Sequence, residues 1–410
     1  MTIATLTTRS WFTLLTSFVI LMVAFSFGLF SLPQFYPSLV RIFHWNRASV
    51  TAGGSIVLLL VGVLSPVVGW MVDRFRPKRV LLGGMLLVGS ALALLSSADS
   101  RPQYYAYCVV LGAGASAVSI LPNSILIGPW FSKNRGLAVG FVNAGIGLGG
   151  VAPRITAAQI TQRGVPGAFL FLAALILIPL AMTLFIVKDE KRTAPQSSTR
   201  VPSAGELARM PMFWIFGSSL FFTAHAMLGI QQNLVLYLTG EGVPMQRAAQ
   251  VLSTALLAAA LGKLISGILA DRMSARAGML FSISCVGLGI LALLGTPAES
   301  AWMDWLAIVF GMGYGGIFNA SPTIVFEYFG THQVGRALGL FYIFFGLGTA
   351  SGGVLAGYLF DQTRSYSTPF TLDLALAALA LLLLLLTARA TRPSPVLNDA
   401  ALAARRRVAA

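Results

Sequence analysis

The sequence predicts an all-α membrane protein with twelve transmembrane helices in two pseudo-symmetric six-helix bundles. Its 410 residues are 56% hydrophobic and only 10% charged, with a mean hydropathy of +0.80, whereas soluble domains are about 25% charged. The apolar runs are separated by short polar loops, and each is long enough for the roughly 20 residues that a helix needs to cross the hydrocarbon core. The runs are continuously apolar rather than alternating, which excludes a β-barrel.

A charged motif occurs twice, at an offset of 198 residues, and this repeat predicts the two halves. The alternative is a chance match of a common motif. However, a second, unrelated pair of landmarks has the same offset, which favours a duplicated chain. The matched positions are Gly69, Asp73 and Arg74 with Gly267, Asp271 and Arg272, and Trp130-Phe131 with Tyr328-Phe329.

The apolar runs divide into six before and six after a polar stretch. We therefore expect an N-terminal bundle at 1–187, a cytoplasmic linker at 188–209, a C-terminal bundle at 210–390 and a basic cytoplasmic tail at 391–410. The predicted helices cover roughly Trp11–Leu39, 50–72, Val80–Ser97, Tyr104–Trp130, helix 5 from 136, helix 6 to 187, helix 7 from Pro211, Gln246–Ala270, Met279–Gly295, Trp302–Phe329, Ala337–Phe360 and Thr371–Ala388.

Prolines and glycines mark particular helices. Pro122 breaks helix 4 beside Asn123, which indicates a cavity wall because the freed backbone groups need polar partners. By the offset, Asn123 falls opposite Ser321 in helix 10, again at a proline-broken site formed by Pro322. Helices 5 and 11 are glycine-rich, which suits tight packing or a moving interface equally well.

The net charge of +15 reports topology rather than nucleic-acid binding. With the N-terminus placed inside, 20 of the 28 Lys and Arg residues fall in cytoplasmic segments and six in the opposite loops. The positive-inside rule therefore predicts that both termini are cytoplasmic. Cys108 and Cys285 lie within apolar runs and imply no disulfide. The first run is too long for a signal peptide and is kept as helix 1.

Two cations, Arg154 and Lys263, remain inside helices, and none of the thirteen acids falls near a helix centre. Cations without acidic partners in the membrane should face a cavity or the bundle interior, which favours an anionic substrate. Lys263 lies eight residues from Asp271, about 12 Å along the helix and near the midplane. A buried or snorkelling structural lysine is the alternative. Arg154 lies near the outer boundary, where attracting anions and snorkelling are equal possibilities.

Other polar residues could line the same cavity. His225 lies near the middle of helix 7 and could titrate near neutrality, although a hydrogen-bonded structural role is the more common one. The remaining candidates are neutral hydrogen-bonding side chains, at Asn123, Asn143, Gln232, Asn233, Asn319 and Tyr342.

The duplicated twelve-helix pattern with G-x-x-x-D-R after helices 2 and 8 resembles the major facilitator superfamily of secondary transporters. The resemblance implies two bundles that rock about a midplane site. It also implies that the charged loops hold the halves together on the cytoplasmic side, although they could merely anchor the loops at the lipid surface. These gating positions are Gly69, Asp73, Arg74 and Arg79, with Gly267, Asp271 and Arg272 in the repeat.

Three segments resemble the monocarboxylate and oxalate/formate branch of that superfamily. They are H-W-N-R-A-S-V at 44–50, P-W-F-S-K-N-R-G-L-A-V-G at 129–140 and G-K-L-I-S-G-I-L-A-D-R at 262–272. That branch typically has Arg where Lys263 stands, and there the cation pairs with the substrate carboxylate. Because a desolvated lysine can lose its proton and arginine does not, the resemblance also permits proton exchange at Lys263.

We therefore expect a bacterial inner-membrane carrier, and not an enzyme, because no catalytic constellation is present. The expected substrates are small organic anions, above all monocarboxylates such as lactate or pyruvate, carried by proton symport. Anion exchange of the oxalate/formate type and efflux of a neutral or anionic compound are the alternatives. Export of cations is disfavoured because no membrane acid is found. We expect a monomer in the lipid bilayer, with no cofactor, metal or nucleic acid.

Overall fold

The computed structural model describes residues 8–128, 130–131, 135–187, 209–329 and 334–390. Side chains are described for these residues except 8–9, 135–137, 326–329, 334–339 and 387–390. The predicted linker, apart from Arg209, and the predicted basic tail therefore lie outside the described residues. The secondary structure of the described part is helical, without strands.

Twelve transmembrane segments account for the helices of the described residues. Ten helices are long and apolar enough to cross a membrane, and the bent pair Arg47–Val63 and Ser65–Phe75 makes an eleventh. One of the ten, Ala138–Phe185, has 48 residues, or about 72 Å at helical rise, and turns at Gly164, where φ is 70°. It therefore crosses twice, which confirms the predicted fold class.

We number the segments in chain order. The first, α1, begins with the α-helix Thr8–Val19 and continues through a π-helical stretch at Ile20–Phe27. A short α-helical turn at Gly28–Phe30 then leads to its last part, Leu32–Phe43. The others are α2 (Arg47–Val63 and Ser65–Phe75), α3 (Pro77–Leu95), α4 (Arg101–Ala117 and Ile120–Ile127), α5 (135–163), α6 (165–185), α7 (Pro211–Gly240), α8 (Met245–Arg272), α9 (Ala275–Gly295), α10 (Met303–Phe329), α11 (Val334–Thr363) and α12 (Ser367–Ala390).

The predicted break in α4 is present, and Asn123 stabilises it. Pro122 has no N–H to donate to the carbonyl of Val118, four residues earlier. The Asn123 Nδ2 donates instead to the carbonyl oxygens of Val118 at 3.0 Å and Ser119 at 2.9 Å. The corresponding prediction for α10 is wrong, because this helix runs unbroken through Pro322.

The two halves meet on one side of the membrane. We call the side where α1 begins and α12 ends the termini side, and the opposite side the far side. On the far side α2 packs against α11, α5 against α8, and the end of α1 against α7. In contrast, Ser65–Phe75 and Ile120–Ile127, which lie near the termini side, pack mainly within their own half. The described structure is therefore closed on the far side.

Glycines set the depth of this closure. A methyl group built on Gly62 would lie 3.5 Å from the Cα of Gly346, where α2 meets α11. One built on Gly147 would lie 3.4 Å from the Cβ of Ala260, where α5 meets α8. These approaches lie well inside the helices, so the closed region reaches from the far side towards the membrane interior.

Candidate functional site

Lys263 lies where the far-side closure ends. It follows Ala260 by three residues, or about 4.5 Å along α8 towards the termini side. The side chain is half-buried, and its ammonium group forms no ion pair or side-chain hydrogen bond among the residues that the structure describes. A cation in this position is available to an anion that enters between the halves.

Close packing of α8 on α10 fixes the backbone that carries Lys263. A Cβ on Gly262 would overlap the carbonyl of Met312, and one on Gly315 would overlap the carbonyl of Ala259. Only glycine allows the two backbones to approach this closely. The position of Lys263 is therefore set by a rigid helix pair rather than by a loop.

Asn319, which the sequence predicted to line the cavity, lies beside Lys263. Its Nδ2 donates to the Lys263 carbonyl at 3.2 Å and to the Ser266 hydroxyl at 3.4 Å. It also lies against Gly267, since a methyl group there would be 3.0 Å from the amide nitrogen. Lys263 and Asn319 thus form the polar part of the candidate site.

Aromatic rings lead from Asn319 to Tyr342. Phe318 on α10 contacts Phe345 on α11 at a centroid distance of 5.4 Å, and Phe345 contacts Tyr342 at 6.3 Å. The Tyr342 side chain is exposed at 39%. We therefore define the candidate site as Lys263 and Asn319 together with this row of aromatic rings, on three C-terminal helices.

A cluster that we call the far-side clamp joins the halves at the membrane surface. The backbone N–H groups of Arg47 and Ala48, at the start of α2, donate to the Asp361 carboxylate on α11 at 3.0 and 2.9 Å. The Arg47 guanidinium lies 3.5 Å from the ring centroid of Phe360 and 4.9 Å from that of Tyr366. A carboxylate at a helix N-terminus is stabilised by the helix dipole, so this contact favours the closed far side.

Two polar candidates on α7 belong to the closure rather than to the Lys263 site. Gln232 accepts a hydrogen bond from the Tyr36 hydroxyl of α1 at 2.8 Å, next to Gly54, which leaves room for both side chains. Asn233 donates to the Gly353 carbonyl at 3.0 Å and accepts from the Tyr366 hydroxyl at 3.2 Å. Burial raises the pKa of Tyr366 and Arg47 acts in the opposite direction, so the phenol remains a donor.

His225 is buried between α7, α11 and α12, away from Lys263. Its Nδ1 lies 2.8 Å from the Ser351 hydroxyl, and its Nε2 lies 3.7 Å from Asp373 Oδ1. The expectation that no acid lies inside the membrane is wrong at Asp373, which is only 1% exposed. The predicted start of helix 12 at Thr371 placed this residue in the first turn, but α12 begins at Ser367.

Arg154 lies apart from the polar site. The backbone N–H of Arg154 donates to the Ser253 hydroxyl at 3.1 Å, and its side chain is exposed. Ser253 precedes Lys263 by ten residues, or about 15 Å along α8. Asn143 is half-buried, and its Oδ1 has no hydrogen-bond partner within the described part of the chain.

The sequence model of the Major Facilitator Superfamily matches residues 16–318 and, in a second overlapping match, residues 244–409. The chain belongs to the Major Facilitator Superfamily. This assignment confirms the predicted superfamily and agrees with the multi-pass arrangement of apolar helices.

Curated superfamily members include relatives from the predicted branch. The chain is 27% identical over 320 residues to the oxalate:formate antiporter of Oxalobacter formigenes, covering 74% of each chain. It is 26% identical over 372 residues to monocarboxylate transporter 13 of Rattus norvegicus, covering 88% of this chain and 85% of the relative. It is also 25% identical over 380 residues to the uncharacterized MFS-type transporter YcxA of Bacillus subtilis (strain 168), covering 87% and 90%. The resemblance to this branch is thereby confirmed.

Solved structures of superfamily proteins share the fold. A variant of the nucleoside transporter NupG aligns over 93% of this chain and 100% of its own, with a TM-score of 0.75. A bacterial homolog of the human lysosomal transporter Spinster, described as inward-facing and unoccupied, aligns over 95% and 99% with the same score. Both are 15% identical to this chain, so the likeness concerns the fold alone.

The charged loops of the superfamily motif lie on the termini side. Asp73, Arg74 and Arg79 have exposed side chains between α2 and α3, and Asp271 and Arg272 are exposed at the end of α8. The half-buried Gly69 and Gly267 precede them on α2 and α8. Where both side chains are described, the hydrogen bonds between the halves lie in the far-side closure and not in these loops. The predicted gating role remains a prediction.

Proposed function

We propose that this protein is a secondary transporter of small organic anions, with monocarboxylates of the lactate and pyruvate type as its substrates. Transport proceeds by proton symport through alternating access. The observation that carries the proposal is Lys263, a half-buried membrane cation without an acidic partner among the described residues. It lies where the far-side closure ends in the membrane interior. Anionic substrates satisfy such a cation, whereas cationic ones would be repelled.

Asp373 does not reverse this preference. Its presence removes the argument that a membrane acid is missing, so the case against cation export rests on exposure instead. Asp373 is 1% exposed and packs against Gly229 and His225, whereas Lys263 is half-buried and has no ionic partner in the described residues. The charge that a substrate meets in this conformation is therefore positive.

Anion exchange is the second candidate function, and a specific observation favours it. One relative bears the name oxalate:formate antiporter, and the match covers 74% of each chain. An exchanger of this kind needs the same cation but no coupled proton. The two proposals thus share Lys263 and differ in the dependence on a proton gradient.

We propose a location in a bacterial inner membrane, and the charge distribution supports an orientation with both termini in the cytoplasm. The predicted cytoplasmic segments hold 20 Lys and Arg residues, against six in the opposite loops. In this orientation the far side is the cell exterior, and the closed far-side clamp corresponds to an inward-facing state. The loops at Asp73 and Asp271 are proposed to close the cytoplasmic side in the opposite state.

Uptake of labelled lactate into proteoliposomes, with and without an inward proton gradient, tests the proposed function. Exchange against preloaded oxalate, measured on the same protein, tests the second candidate. Lys263→Ala should reduce lactate transport about tenfold or more, since a hydrogen bond to a charged group contributes roughly 1.5–3 kcal/mol. Lys263→Arg, which matches the residue typical of the branch, should retain part of the activity.

Arg154→Gln is the matched variant because it removes the other predicted membrane cation, about 15 Å from the site. It should reduce transport far less than Lys263→Ala. Equal transport by Lys263→Ala and the unaltered protein would show that Lys263 does not bind the substrate.

A further inference from the structure

A histidine and an aspartate face each other inside the C-terminal half, and the proposed substrate site uses neither. His225 Nε2 lies 3.7 Å from Asp373 Oδ1, and the two residues are 4% and 1% exposed. A methyl group on Gly229 would overlap the Asp373 carboxyl, so this glycine makes the space for the acid against α7. Asp373 Oδ2 is buried without a hydrogen-bond partner in the described part of the chain.

The two ring nitrogens of His225 have different neighbours, with Nδ1 beside Ser351 and Nε2 beside Asp373. The Ser351 hydroxyl donates its only proton to the Gly348 carbonyl at 3.0 Å. In this arrangement Ser351 accepts from His225 Nδ1–H at 2.8 Å. Nε2 then faces Asp373 with a lone pair unless a proton lies on one of the two groups.

One proton satisfies this arrangement. Without it, an Asp373 carboxylate beside a neutral imidazole would leave a net negative charge in a buried site with either imidazole tautomer, which is costly. With the proton on either group, the pair is neutral overall, and the 3.7 Å separation of Nε2 and Oδ1 is within ion-pair distance. The two groups therefore titrate as one unit.

No other titratable side chain interrupts the pair. In the described helices that pack against α12, the other titratable residues make no ion pair or hydrogen bond with His225 or Asp373. They are Tyr237 on α7, Arg276 and Cys285 on α9, and Tyr342, Tyr358 and Asp361 on α11.

We propose that the His225–Asp373 pair is the proton-binding site that couples transport to the proton gradient, with one proton bound per cycle. This inference rests on the proposed symport. It assigns the coupled proton to a site separate from Lys263, so that Lys263 keeps its charge and binds the anion while the proton travels elsewhere in the C-terminal half.

A chain of contacts joins this pair to the far-side clamp and gives the proton a physical link to alternating access. Gly229 lies against the Asp373 carboxyl, and its carbonyl accepts from Asn233 Nδ2 at 3.1 Å. Asn233 lies eight residues from His225, about 12 Å along α7 towards the far side. It is bonded to Tyr366, whose ring lies under the Arg47 guanidinium. In this proposal, opening of the clamp moves Arg47 away from Tyr366 and exposes Tyr366 and Asn233 to the far side. The His225–Asp373 pair then receives its proton from that side.

Asp373→Asn and His225→Gln test the inference in proteoliposomes, with Asp304→Asn as the control. Asp304 pairs with Arg247 outside the buried cluster, and both residues are half-buried. For the unaltered protein, a pH gradient of one unit should drive about tenfold accumulation of lactate if one proton is coupled. Both pair variants should lose this accumulation and still exchange lactate across the membrane, whereas Asp304→Asn should retain both activities. Gradient-driven accumulation by both pair variants would overturn the inference.

A second measurement does not depend on the substrate and separates failure of this inference from failure of the proposed function. The protein contains three histidines, so ¹⁵N-histidine labelling gives few imidazole signals, and His225→Gln assigns one of them. The ¹⁵N chemical shift of His225 Nε2 should be that of a nitrogen that carries a proton or shares one with Asp373. In Asp373→Asn it should change to that of a nitrogen without such a proton. An Nε2 resonance that is identical in the two proteins would overturn the inference even if lactate is not the substrate.

Discussion

Removing the negative charge of Asp361 should open the far side. In the far-side clamp, the Asp361 carboxylate accepts two backbone N–H groups, from Arg47 at 3.0 Å and Ala48 at 2.9 Å. The isosteric change Asp361→Asn keeps one neutral acceptor but loses the second, together with the charge at the helix N-terminus. Hydrogen bonds to charged groups contribute roughly 1.5–3 kcal/mol and neutral ones about 1 kcal/mol.

Because Asp361 is half-buried, we expect a net loss of about 2 kcal/mol from the closed far side. This is a shift of about 30-fold in the ratio of closed to open molecules. The substitution changes the population only if the bond is absent from the open state, as the separation of α2 from α11 requires.

Spin labels on Asp99→Cys and Glu299→Cys would measure the shift by double electron–electron resonance in nanodiscs. Both positions are exposed in far-side loops of opposite halves, and the native Cys108 and Cys285 are buried. Asp361→Asn should move population to longer distances. Asp304→Asn should not, because its partner Arg247 lies in the same half. An unchanged distribution in Asp361→Asn would refute the role of the clamp.

Two further substitutions follow from the packing. Tyr36→Phe removes the 2.8 Å hydrogen bond to Gln232 between the halves and should shift the same spin-label distances by about 1 kcal/mol, a few-fold in population; a shift as large as that of Asp361→Asn would contradict this ranking. Gly262→Ala places a methyl group on the Met312 carbonyl and should cost roughly 1–3 kcal/mol. Thermal unfolding in detergent measures this cost, and Gly83→Ala, whose Cβ would meet nothing within 4 Å, is the matched control. Equal melting temperatures for the two glycine variants would show that α8 and α10 are less tightly packed than described.

The sequence predicted the helices and the superfamily because both depend on local or repeated features. Apolar runs of membrane-spanning length appear in the composition, and the repeat at 198 residues reveals the duplication. Lys263 could be identified in the same way, because a charge inside an apolar run is visible without knowing its neighbours. The proximity of Asn319 to Lys263 was consistent with its place in helix 10 but needed the α8–α10 packing to establish it.

The far-side clamp could not be predicted because its partners are far apart in the chain. Arg47 and Asp361 are separated by 314 residues, and each resembles an ordinary loop charge in the sequence. Asp373 was missed for a local reason. Helix 12 begins four residues earlier than its hydropathy indicates, which places the acid deeper in the helix than expected.

By itself, the sequence determined how many times the chain crosses the membrane, which superfamily it belongs to and that a lone lysine lies in a helix interior. These properties follow from the hydrophobic effect and from the cost of placing charge in hydrocarbon, both of which act on each segment separately. Only the tertiary structure decided which polar groups of different helices share a partner: Gln232 with Tyr36, and His225 with Asp373. Such pairs depend on how helices from distant parts of the chain pack together, and this packing cannot be predicted from the periodicity within one helix.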